Sequence, residues 1–186
     1  MIKLIDLLNE AKQVGILYHF TGFKPLTKIL ENNCLGMLRR GGYDEYVSFT
    51  RNKNFDQVAK IFDLKTGING WWRSEIGCIC RITVDGDKLS NNYKFEPWRS
   101  KIFSRENPKS KWSQTPKVIK KGKKYFSADE SEERIFTNKK CIPIKEYIIS
   151  VTLIDPDDKE IEIAKTISGV NFRIYDSETK QEREIV

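Results

Sequence analysis

From Ile76 onward the apolar residues of this chain come in short, β-branched runs bounded by turn residues, not at helical intervals. Ile76 to Val84 and Tyr147 to Ile154 read as strands, and Val170 to Tyr175 could add another. Asp85-Gly86 reads as the turn that closes the first of them. Asp155-Pro156-Asp157-Asp158 reads as a turn from which Glu160 to Ile163 pairs back as a hairpin. Asn92 to Glu96 reads as a short strand, and Glu132 to Phe136 begins the next ordered segment. The charged end, Asp176 to Val186, is expected to fray.

The earlier part is mixed. Ile2, Leu4, Ile5, Leu7 and Leu8 recur at helical spacing, which predicts a short amphipathic helix docked on the domain. Charges interrupt this run and no small-residue cleavage site follows it, so it does not read as a signal peptide. Ile16 to Thr21 reads as a buried strand, Pro25 to Asn32 as a helix and Leu38 to Gly42 as a loop. Tyr46 to Thr50 reads as a strand, with Val47 and Phe49 on one face and Ser48 and Thr50 on the other. Asn54 to Leu64 reads as a helix with Phe55, Val58, Ile61 and Phe62 on its apolar stripe. Early helices followed mostly by strands predict an α+β fold with a largely antiparallel sheet, not a doubly wound parallel one. The 186 residues suit a single domain with its own core, and no run approaches the roughly 18 apolar residues of a membrane span. Neither a G-x-G-x-x-G nor a G-x-x-x-x-G-K-[ST] pattern occurs, so Rossmann and P-loop nucleotide binding are unsupported.

The net charge of +7 is concentrated. Residues 101–124 hold nine basic residues against one acid, Glu106, which leaves the remainder close to neutral. A local basic patch favours a polyanion, whether nucleic acid, a pyrophosphate or an acidic partner face. The plain alternative is a solvated lysine-rich loop. Residues 97 to 124 also carry Trp98 and Trp112, and a stretch this long without periodicity is often functional. Cys78 and Cys80 share one strand face, but no second pair or histidine stands at zinc spacing. All four cysteines, Cys34 and Cys141 included, are expected as reduced, mostly buried thiols in a reducing compartment, with no metal site.

Three short segments offer chemistry. In Tyr18-His19-Phe20-Thr21 the chain's single histidine and a threonine end an apolar strand, placing hydrogen-bonding groups at a sheet edge or cleft. A satisfied structural histidine is the plain alternative. In Val47-Ser48-Phe49-Thr50-Arg51-Asn52 two hydroxyls share a strand face, and an arginine able to bind phosphate bidentately follows. In Asp129-Glu130-Ser131-Glu132-Glu133-Arg134 an extended chain sets Glu130 and Glu132 on one face and Glu133 on the other. One such acid could stabilise a cation developing on a ribose while another activates a nucleophile. An acid-rich helix start is the alternative.

Histidine on an early strand, S-x-T on a middle strand and E-x-E on a late strand resemble the ADP-ribosyltransferase superfamily. They resemble in particular ADP-ribosyltransferase-like proteins of large tailed phages. The matching segments are Ile2 to Glu10, Tyr18 to Thr21, Ser48 to Asn52, Val84 to Ser90 and Glu130 to Arg134. The resemblance implies a split, mostly antiparallel β-sandwich with NAD, as substrate, in the cleft. It implies that His19, with Thr21 beside it, binds the nicotinamide ribose or orients the amide. Ser48 and Thr50 take the middle-strand hydroxyl positions, and Arg51 contacts the pyrophosphate. Glu132 would be the catalytic glutamate, and Glu130 would position or deprotonate the acceptor. The first strand carries histidine where classes built on arginine, serine and glutamate carry arginine. The middle strand offers Phe49, with Tyr46 nearby, where classes built on histidine carry tyrosine.

The leading expectation is therefore a phage-encoded transferase in the host cytoplasm, moving ADP-ribose from NAD to a nucleic-acid or protein acceptor. Lys117, Lys120 and Lys121 would contact acceptor phosphates and Trp98 or Trp112 would stack. The alternatives are a non-catalytic binding or virion-associated protein on the same scaffold and, more weakly, a nucleic-acid-binding protein or nuclease. In that last case Asp85, Asp87 and Glu130 to Glu133 could hold magnesium.

Overall fold

A computed structural model of the chain describes residues 14–36, 46–51, 53–55, 75–97, 132–136 and 140–185. The helix expected over Ile2 to Glu10, the loop Leu38 to Gly42 and all but the start of the helix read over Asn54 to Leu64 lie outside them. So do Trp98, Trp112, Lys117, Lys120, Lys121 and Glu130.

The described residues form an α+β fold around an eight-stranded, mixed but mostly antiparallel sheet. Its strands are β1 (Ile16–Gly22), β3 (Tyr46–Thr50), β4 (Ile79–Asp85), β5 (Phe95–Pro97), β6 (Glu132–Phe136), β8 (Ile148–Ile154), β9 (Phe172–Asp176) and β10 (Gln181–Glu184). A separate ribbon pairs β2 (Leu35–Gly36) with β7 (Cys141–Ile142). The order across the sheet is β10-β9-β8-β4-β1-β3-β6-β5. Every neighbouring pair is antiparallel except β8 and β9. Among the described residues the α-helices are α1 (Phe23–Asn32), α2 (Gly86–Ser90) and α3 (Asp158–Thr166).

Alternation sorts the strands into two faces. Leu17, Val47, Phe49, Cys80, Ile82, Val84, Ile135, Val151 and Leu153 line the main core. Phe23, Leu26 and Leu30 of α1 close over it, one helical turn apart. Pro25 falls in the first turn of α1, where its missing N–H costs nothing. Asn33 ends the helix in the left-handed region, and its side-chain oxygen accepts from the Ile144 and Lys145 amides. On the opposite face a smaller apolar cluster gathers Phe55, Ile79 and Ile154, with Phe20, Ile76 and Tyr175 packed against it.

Four expectations are corrected. Glu160 to Ile163 is not a hairpin strand but part of α3. Asp157 and Glu160 form a reciprocal capping box that starts this helix. A crossover is also topologically required, because β9 runs parallel to β8, and α3 lies within it. Asp85-Gly86 is not a simple turn but the start of a short helix: Asp85 caps α2 by accepting from the Lys88 amide. A Cβ on Gly86 would strike the Gly15 carbonyl and the Leu17 and Val14 side chains, so the close approach of α2 to β1 depends on glycine. Asp176 to Val186 does not fray over the described positions. Gln181–Glu184 is the edge strand β10, joined to β9 by a turn in which the Asp176 carboxylate accepts from Glu178 and Thr179. Finally, the cysteines are not all reduced. Cys34 and Cys141 stand as a disulfide with Cα atoms 5.4 Å apart, brought together by the β2–β7 pairing from 107 residues away in sequence. Cys78 and Cys80 are free and buried. Smaller differences are in boundaries: β4 starts at Ile79 because Gly77 turns the chain at φ +75°, and the short strand is Phe95–Pro97.

Candidate functional site

The fold brings the three chemistry-bearing segments side by side. β1 carries His19, β3 carries Ser48 and Thr50, and β6 carries Glu132, and these strands are consecutive neighbours in the sheet. β3 and β6 pair along five positions, with Thr50 opposite Glu132, Phe49 opposite Glu133 and Ser48 opposite Arg134. β1 and β4 pair along all seven residues of each strand. Between β1 and β3, by contrast, one pair is in register, Tyr18 opposite Thr50.

At that junction a side chain takes over from the backbone. His19 Nδ1 lies 2.8 Å from the main-chain carbonyl oxygen of Ser48. A carbonyl can only accept, so Nδ1 carries the proton and Nε2 of the neutral ring is left as an acceptor. The ring also meets Phe49 edge-on, with centroids 5.9 Å apart. Burial in this apolar setting lowers the His19 pKa below its ordinary value, against the opposing pull of the Ser48 carbonyl.

The two sheet faces divide the expected site residues. His19 and Thr21 share the face of Leu17 and Phe49, and the backbone register sets position 133 there too. Ser48 and Thr50 share the other face with Tyr18, Arg134 and register position 132. His19 therefore meets the Ser48 main chain and not the face of its hydroxyl. The Arg134 guanidinium stacks over Tyr46, 3.9 Å from the ring centroid. Arg51, just past β3, donates from Nη1 to the Val14 carbonyl, where the chain enters β1. Asp87 fixes the same entry by accepting from the Val14 and Gly15 amides at 2.7 and 2.9 Å. Asp85 and Asp87, named above as magnesium ligands, thus both accept from backbone amides.

Sequence reasoning missed Arg81. It lies in the middle of β4, only 3% exposed, on the face of Tyr18 and Thr50. Its Nη2 donates to Thr152 Oγ1 at 3.1 Å and to Glu182 Oε1 at 2.9 Å, and Nη1 donates to the Lys53 carbonyl at 3.2 Å. Lys53 and Arg173 also approach Glu182, both at 3.6 Å. A lone arginine inside the apolar run Ile79 to Val84 was the available signal, because a buried charge needs a partner. Its partner lies in the segment read as frayed.

Among the described residues no helix is long and apolar enough to cross a membrane. No protein-family model matches the chain, and neither curated proteins nor solved structures show a match.

Proposed function

We propose that this chain is an NAD-dependent ADP-ribosyltransferase with a split β-sandwich architecture, phage-encoded and acting in the host cytoplasm. The observation that carries the reading is the adjacency of β1, β3 and β6. Residues of three segments between positions 18 and 134, each segment resembling one motif of that superfamily, lie on three neighbouring strands. They meet where the ladder between β1 and β3 is reduced to one registered pair and a histidine side chain.

In this reading the bond between the nicotinamide nitrogen and ribose C1′ of NAD breaks, and its electron pair leaves with nicotinamide. Glu132 stabilises the positive charge that develops on the ribose. A lone pair of the acceptor forms the new bond at C1′, and Glu130 takes the acceptor's proton. Ser48 and Thr50, on the face of register position 132, supply hydroxyl contacts to the substrate, and His19, from the other face, holds the β3 main chain beside them. Trp98, Trp112, Lys117, Lys120 and Lys121 contact a nucleic-acid or protein acceptor. The test is incubation of the purified protein with labelled NAD and host lysate. Label transfer or nicotinamide release that is lost in Glu132→Gln supports the reading. Neither event in wild type sinks it.

A second reading has its own observation. His19 and Arg51, two of the expected NAD contacts, each bond a main-chain carbonyl, as scaffold residues do. A non-catalytic binding protein on the same scaffold would keep its function in Glu132→Gln and lose it on charge reversal across Lys117 to Lys124.

A further inference from the structure

We infer that Cys34 and Cys141 form a reversible thiol latch that sets how firmly β3 and β6 are held in the sheet. Cys34 follows the left-handed end of α1 and leads into β2, from which the chain runs on to β3. Cys141 opens β7, which the chain enters on leaving β6. The pair thus sits where the backbone departs for β3 and where it returns from β6. Among the described residues, β1 and β3 have one registered pair, Tyr18–Thr50, and the His19–Ser48 and Arg51–Val14 bonds add to it. The β2–β7 ribbon adds two registered pairs at the base of β3 and β6, Leu35 with Ile142 and Gly36 with Cys141. A covalent link there restrains the long excursion that contains both strands.

The cysteines are suited to reversible closure. Their Cα separation of 5.4 Å lies within the range a disulfide spans. Both residues are half-buried, whereas Cys78 and Cys80 are buried. Burial, first among several causes, pushes the Cys80 thiol well up, which keeps it out of exchange. Closure by a low-molecular-weight disulfide such as glutathione disulfide balances as follows. One protein thiolate attacks a glutathione sulfur, forming a mixed disulfide and releasing one glutathione thiolate. The second protein thiolate then attacks the protein sulfur of that mixed disulfide and releases the other. Two protein thiols are oxidised, one glutathione disulfide is reduced, and the protons pass to the released glutathiones.

Any effect of the latch on catalysis rests on the transferase reading; the latch itself does not. The full chain is equilibrated in reduced glutathione or in glutathione disulfide, then studied by denaturing alkylation with mass analysis and by hydrogen exchange. In the oxidised form two labels are expected, on Cys78 and Cys80, and four in the reduced form. Amides of Tyr46–Thr50 and Glu132–Phe136 should exchange about tenfold or more slowly when the link is closed, with Ile148–Ile154 unchanged. Cys34→Ser and Cys141→Ala should each remove the glutathione dependence of exchange at these amides. Four labels in excess glutathione disulfide, or equal exchange in the two forms, overturns the latch. NAD cleavage is read separately on both forms. Its absence from both, with the exchange difference intact, counts against the transferase and not the latch. Equal cleavage in both overturns only the control of catalysis.

Discussion

His19 Nδ1 donates to the Ser48 carbonyl across 2.8 Å, and this bond joins two strands whose backbones share a single registered pair. The histidine is thus a tie between two neighbouring strands as well as a candidate ligand. Removing it takes away one hydrogen bond between β1 and β3. His19→Ala should cost about 0.5–1.5 kcal/mol, the net value of one such bond, read as a lower denaturant midpoint.

The same residue makes stability depend on pH. Its pKa is lowered in the folded protein, so the unfolded chain binds the proton more readily. The contribution is complete above about pH 6.5, the unfolded value, and is lost as pH falls from there through the lowered folded value. His19→Asn keeps a donor near the Nδ1 position and cannot titrate in this range. Urea midpoints between neutral and mildly acidic pH should slope in wild type and flatten in that variant. An unchanged slope in His19→Asn would refute the assignment.

A second acid transition lies lower. Desolvation pushes the Glu182 carboxyl up, but the Arg81 charge and hydrogen bond, with Thr152 and Lys53, outweigh it and hold the pKa below its usual value. Its stabilisation is present above about pH 4.3 and is lost on further acidification. Glu182→Ala strands the buried Arg81 and should cost about 3 kcal/mol, the low end for breaking a buried pair. Calorimetry of this variant with Thr152→Val should show non-additive losses, since both residues serve one guanidinium.

Glu160 holds two structures at once. Its Oε2 accepts from the Asp157 amide to start α3, and its Oε1 accepts from the Cys78 amide just before β4. Asp157→Ala should cost about 1 kcal/mol, the value of one cap. Glu160→Ala should cost more, by a further 1–3 kcal/mol or so, because it orphans a buried amide. Equal thermal shifts in the two variants would show that the Cys78 contact contributes nothing.

The two candidate acids are separable by face. Position 132 stands opposite Thr50 and position 133 opposite Phe49, which His19 touches. Under the proposed function, Glu132→Gln should slow NAD cleavage by about 10²- to 10³-fold. A loss found only in Glu133→Gln would move the chemistry to the His19 face.

Much of this architecture was legible locally. The strands at Tyr46–Thr50 and Ile148–Ile154, and the helix ending at Asn32, follow from alternation, apolar spacing and an asparagine stop. The run Glu160-Ile161-Glu162-Ile163 misled because it alternates like a strand. The deciding signals were the Asp157–Glu160 cap and the parallel return of β9. The candidate site divides in the same way. Each of its segments was visible, but their division between two faces was not, because it depends on the register of strands far apart in the chain.

The sequence by itself determined the α+β class, the main strands and the neighbourhood of His19, because periodicity and turn chemistry act over a few residues. Only the tertiary structure decided that Cys34 meets Cys141, that Arg81 finds Glu182 and that His19 bonds the Ser48 main chain. Those partners are separated by 29 to 107 residues. No local preference encodes such pairings; they follow from how the completed sheet buries its apolar face and satisfies the polar groups caught inside it.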